Sequence, residues 1–205
     1  MTEFNHDLEL DHIDMVNLLA KDGGEIILGL NQETAHCLHM AIGIVGEVAE
    51  LTEALLNHDR INTVEELGDT LFYMAGLQEA YGIEIPHCIF VLRFSGNTRM
   101  DCILQMSIAA GDLLDEVKKQ AIYCKEVDMQ IVKDRMAILK ACMEVVFKME
   151  EITRDECLLH VRAKLLTGKK KDVIRLLETP EMQEVIQNAI NQNMSTEDII
   201  AALTS

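Results

Sequence analysis

Four long stretches of this chain carry apolar side chains at three- and four-residue intervals, and only two prolines interrupt its 205 residues. Leu38, Ala41, Val45, Val48 and Leu55 form one stripe, and Val64, Leu67, Leu71, Met74 and Leu77 a second. Ile103, Met106, Ala110, Leu113 and Val117 form a third, in a helix expected over roughly 99–124. Met136, Leu139, Met143 and Val146 form a fourth, over roughly 128–150. That period is the turn of an α-helix, so each stripe is a helix face that must be buried against a neighbour. With 49% hydrophobic side chains the chain can fill a sizeable core, as one domain or two intimately packed halves. The expected fold is an all-α helical bundle.

Two acidic pairs sit beside the first two stripes: Glu47 and Glu50, then Glu66 and Asp69. Residues three apart share a helix face, so two antiparallel helices would bring the four carboxylates onto one hard cation. The alternative is a pair of solvated acidic faces, which are common. Gly43 and Gly46 lie beside the first pair, where glycine costs a helix about 1 kcal/mol against alanine, which suggests close packing or binding at that backbone. Tyr73 shares a face with Glu66 and Asp69, while Glu53 and Glu65 fall one step off the pattern and read as solvated charges.

The run Leu38-His39-Met40-Ala41-Ile42-Gly43-Ile44-Val45-Gly46-Glu47-Val48-Ala49-Glu50-Leu51, followed by Glu65-Glu66-Leu67-Gly68-Asp69-Thr70-Leu71-Phe72-Tyr73, resembles the MazG-like nucleoside triphosphate pyrophosphohydrolases of the all-α NTP pyrophosphatase superfamily. The resemblance spans about residues 10–90. It implies magnesium-dependent cleavage of a (d)NTP between the α- and β-phosphates, with manganese as a possible substitute, giving a nucleoside monophosphate and pyrophosphate. It also implies that Glu47, Glu50, Glu66 and Asp69 are the metal ligands and catalytic carboxylates. Glu50 is the candidate base, because it is expected at the centre of the cluster. Four carboxylates suit more than one magnesium ion, since magnesium keeps several of its waters.

The net charge of −17 argues against nucleic acid as a partner, because phosphate backbones are held by lysine and arginine. No stretch is long and apolar enough to cross a membrane, and the acidic start lacks the basic end of a signal peptide, so a cytoplasmic protein is expected. The six cysteines are widely spaced and never form a C-x-x-C pair, so most of them read as small core residues in a reducing compartment. Residues 1–99 hold 17 acidic side chains against four basic ones (Lys21, Arg60, Arg93, Arg99), whereas residues 100–205 hold 18 against 14. The half with the proposed ligands is short of cations for a triphosphate.

An internal repeat would resolve that shortage. Gly111-Asp112-Leu113-Leu114-Asp115-Glu116 resembles Gly46-Glu47-Val48-Ala49-Glu50-Leu51 displaced by 65 residues, and Ile152 with Cys157-Leu158-Leu159 echoes Ile85 with Cys88-Ile89-Phe90. The second acidic motif has degenerated near Asp134-Arg135-Met136-Ala137, so the second copy is not expected to bind magnesium. That copy keeps Lys118, Lys119, Tyr123 and Lys125, and later Lys164. Family members commonly build active sites between two copies of the fold. These residues are therefore candidates for substrate binding across the copies, set against the alternative of a solvated basic face. His39 is a candidate for contact with a base, set against a buried core histidine.

The expected organisation is a MazG-like repeat with the metal site over 1–98, a degenerate repeat over 99–167 and a short helical C-terminal extension over 168–205, opened by the basic run Lys169-Lys170-Lys171 and including a capping box at Ser195-Thr196-Glu197-Asp198. The expected function is a housekeeping or phage-encoded pyrophosphohydrolase, in a homo-oligomer as the family suggests. Alternatives are a dimeric-type deoxyuridine triphosphatase of the same superfamily and an inert acidic helical binding protein.

Overall fold

The computed structural model describes residues 11–85 and 99–167, with side chains as far as 164. Regular structure among the described residues is entirely α-helical: α1 (His12–Leu19), α2 (Gly23–Gly29), α3 (Gln32–Leu56), α4 (Arg60–Tyr81), α5 (Arg99–Tyr123), α6 (Met129–Met149) and α7 (Arg154–Thr167). None of these helices is long and apolar enough to cross a membrane. The C-terminal extension, Cys88-Ile89-Phe90 and Arg93 lie outside the described residues.

Short polar side chains set the helix starts. Asn31 opens α3 through a capping box: its Oδ1 accepts from the Thr34 amide at 2.8 Å, and Thr34 Oγ1 accepts from the Asn31 amide at 3.1 Å. Asp59 and Asp128 cap α4 and α6, accepting from Asn62 N at 3.1 Å and Gln130 N at 2.9 Å. The α4 and α6 C-termini also match. Gly82 (φ 59°) and Glu151 (φ 54°) turn left-handed, and the next residue, Ile83 or Ile152, is buried and donates its amide to a carbonyl five residues back. The backbone counterpart of Ile152 is therefore Ile83, whereas the sequence echo had pointed to Ile85.

Three residues join α3 to α4 and five join α5 to α6, so each pair forms an antiparallel hairpin. The hairpins meet through α3 and α5, α7 lies on α4, and α2 touches α5. One continuous core runs through both hairpins. All the apolar residues expected to face inward on α5 and α6 are buried, as are four of the five on α4, where Leu71 is half-buried. On α3 the buried face is wider than the expected stripe and includes Cys37, Met40, Ile44 and Leu51, while Leu38 and Val45 are only half-buried. The reason is that α3 packs against both α4 and α5. The helix sandwiched between α3 and α7 is α4, and an uninterrupted run of it, Thr63 to Gly68, is buried.

Candidate metal centre

Glu47 projects from α3 beside the buried Val48, and Glu66 and Asp69 come from the facing helix α4. One carboxylate oxygen from each lies within 4.8 Å of the other two. Glu66 is only 4% exposed, because α4 is covered on both sides. Its Oε2 is buried without a hydrogen-bond partner. Burial pushes the Glu66 carboxyl up to about 9, reinforced by a hydrogen bond with Glu47 and then by the charges of Glu47, Glu50 and Glu65. Burial also raises Glu47, with the charges of Asp69 and Glu50 adding to it. The Tyr73 phenol is raised as well, by burial and then by the charges of Glu47 and Asp69.

An orphaned, buried carboxylate oxygen facing a second carboxylate can be satisfied by a proton or by a cation. A set of hard oxygen donors on two helices fits a hard divalent ion such as magnesium. Glu50 is exposed and outside the cluster of three, so it stands at the rim rather than at the centre, one helical turn beyond Glu47.

The basic candidates divide into two groups. Lys164 on α7 reaches the site: its Nζ pairs with Glu65 Oε1 at 2.7 Å and with Asp69 Oδ2. Burial alone would lower its pKa, but bonds to Asp69 and Glu65 outweigh that and hold it above the ordinary lysine value. Lys118 and Lys119 instead pair within α5, with Asp115 at 2.8 Å and Glu116 at 2.7 Å. Tyr123 lies beneath Lys21 and Lys125, at 6.0 and 5.9 Å from its ring centre. Among the described residues Lys118, Lys119 and Lys125 form no ion pair with Glu47, Glu66 or Asp69. His39 is exposed rather than buried, and its ring meets the edge of Tyr73 at 5.9 Å. Tyr73 in turn lies over Gly43, where a Cβ would come within 2.3 Å of the ring. Gly46, by contrast, faces open space.

Glu65 corrects the sequence reading. It is 2% exposed, held by Lys164 and facing His160 Nε2 at 3.7 Å, so it is no solvated charge. Its burial depends on α7, which comes so close that a Cβ on Gly68 would stand 2.7 Å from the Cys157 carbonyl oxygen. The available sequence signal was a complementary spacing: Glu65 and Asp69 four apart on one helix, His160 and Lys164 four apart on another.

The second hairpin has a different arrangement at the matching positions. Asp112 stands 65 residues after Glu47, and Arg135 stands 69 after Glu66, the same displacement that relates Asp59 to Asp128 and Ile83 to Ile152. Arg135 Nε pairs with Asp112 Oδ2 at 3.0 Å. In comparisons with known proteins, the chain matches no family model, no curated protein and no solved structure.

Proposed function

We propose that the protein is a nucleoside triphosphate pyrophosphohydrolase dependent on magnesium or manganese, and that its hairpins are two copies of one MazG-like unit, of which only the first keeps a metal centre. The observation that carries the activity is the buried Glu66 oxygen, which lacks a protein partner while Glu47 and Asp69 converge beside it. Support for the repeat comes from the matched aspartate caps, the left-handed turns with buried isoleucines, and the two buried faces in register.

On this reading Glu47, Glu66 and Asp69 hold the cation, with Glu50 at the rim. A divalent cation bound there would stabilise the charge on departing pyrophosphate and acidify a water molecule. The remaining work belongs to the chain. Water adds to the α-phosphorus, the bond to the bridging oxygen breaks, and the water proton passes to a carboxylate, for which Glu50 is the candidate because it is exposed. Lys164 is the protein cation next to the cluster and can meet phosphate oxygens as a point charge on a flexible stem. His39 and Tyr73 form an aromatic edge on the same side, suited to a base.

The test is a panel of NTPs and dNTPs incubated with magnesium, with products separated and cation binding followed by calorimetry. Monophosphate plus pyrophosphate supports the reading. Diphosphate plus phosphate, or the absence of both turnover and cation binding, refutes it.

A further inference from the structure

Lys164 touches one residue of the proposed metal centre and one residue outside it. Its Nζ bonds Asp69, a member of the carboxylate cluster, and also Glu65, one turn earlier on α4 and not in that cluster. His160, one turn before Lys164 on α7, faces the same Glu65. The earlier turns of α7 are therefore anchored to α4 in three ways that do not involve Asp69: the Arg60–Glu156 ion pair, the His160–Glu65 approach and the close packing of Cys157 and Val161 over Gly68. The last turn of α7 is held by Lys164, through Asp69 in the cluster and Glu65 outside it.

We infer that Lys164 and a divalent cation compete for Asp69, so that the end of α7 acts as a strap which cation binding releases. The inference rests on the metal reading above and adds a conformational consequence to it. A dication seated between Glu47, Glu66 and Asp69 would lie next to an ammonium group bonded to one of its own ligands, and two positive centres cannot share that carboxylate at contact distance without strong repulsion. Lys164 retains Glu65 as a partner, so cation binding removes one of the two bonds that hold the last turn to α4 and loosens that turn without leaving the ammonium unpaired. The freed donors then face the side from which a phosphate would approach. The early part of α7 stays in place, because its anchors are untouched.

Hydrogen–deuterium exchange on the full chain, with and without manganese, reads the strap directly, while calorimetry on the same samples reads binding. With cation bound, amides in residues 164–167 should exchange about threefold faster or more, while those at the start of α7 should not change. Lys164→Met should show fast exchange in the last turn already without cation, no further response, and at least tenfold tighter cation binding. Lys148→Met, which removes an exposed charge on α6, should behave as the unaltered protein does. If the cation binds but the last turn of α7 exchanges at the same rate or more slowly, Lys164 stays on Asp69 and the strap is wrong, although the metal centre stands. If calorimetry detects no cation binding, the metal centre itself fails and the strap with it.

Discussion

Asp112 and Arg135 form an ion pair across α5 and α6 at 3.0 Å, whereas Glu47 and Glu66 set one carboxylate against another across α3 and α4. A guanidinium thus neutralises the carboxylate in one hairpin, whereas the other is left with an excess of negative charge. Both partners of the ion pair are partly exposed, so the pair contributes little, on the order of 1 kcal/mol or less. Arg135→Ala should accordingly leave cation stoichiometry and turnover unchanged and lower the melting temperature by only a few degrees. Calorimetry and a thermal melt check both parts; a gained binding event would show that Arg135 keeps a cation out of the second hairpin.

The Glu66 carboxyl gives the stability a defined pH dependence. Its ordinary value is 4.5 and the folded chain raises it to about 9. Between those values the folded chain keeps a proton that the unfolded chain has released, so this contribution is fully present below the lower value and is lost as pH rises through the upper one. Without cation, Glu66→Gln should melt higher than the unaltered chain at pH 8–9 and close to it at pH 4, with the gap widening steadily between. Cation binding near neutral pH should also release protons, which calorimetry in buffers of different ionisation enthalpy will count.

Removal of single carboxylates should separate the centre from its rim. Glu47→Gln and Asp69→Asn should lose roughly 10–100-fold in cation affinity or activity while remaining folded. Glu50→Gln should bind cation almost as well as the unaltered chain but turn over much more slowly, as expected for a base outside the cluster. Equal activity in Glu50→Gln and Asp69→Asn, both near the unaltered rate, would exclude this division of roles.

Two glycines should respond in opposite directions. A Cβ at Gly68 meets the Cys157 carbonyl at 2.7 Å and Val161 Cγ2 at 2.8 Å, and the carbonyl belongs to a helix backbone that cannot rotate away. Gly68→Ala should cost about 1–3 kcal/mol and push α7, with Lys164, off the site. A Cβ at Gly46 meets nothing within 4 Å, so Gly46→Ala should stabilise α3 by about 0.5–1 kcal/mol. If that variant melts higher but loses turnover, Gly46 is needed for the approach of a ligand to the backbone.

The main helices were readable because periodicity is local. The ends expected for α5 and α6 lie within a residue of those found, whereas the caps Asp59 and Asp128 emerge only from the structure. The convergence of Glu47, Glu66 and Asp69 was readable for the same reason, since a short loop forces α3 and α4 together. The environment of Glu65 was not, because it depends on a helix about 90 residues away in sequence. The matched spacing of His160 and Lys164 was a cue to the lysine that reaches the site, but it does not say which helix α7 packs on. Lys118 and Lys119 have acidic residues three and four positions away on their own helix, and those local partners hold them; Lys164 finds its partners only across α4.

Three helix ends place a residue other than glycine in the left-handed region: His58 after α3, Cys124 after α5 and Glu151 after α6. Each such residue costs the fold on the order of 1 kcal/mol. The strained backbone is therefore confined, among the described residues, to the joints between helices, and the helices that carry the carboxylates are relaxed. A glycine in place of His58, Cys124 or Glu151 would relieve that strain at a position outside the carboxylate cluster while keeping the length of the joint, which is what sets the facing helices against each other.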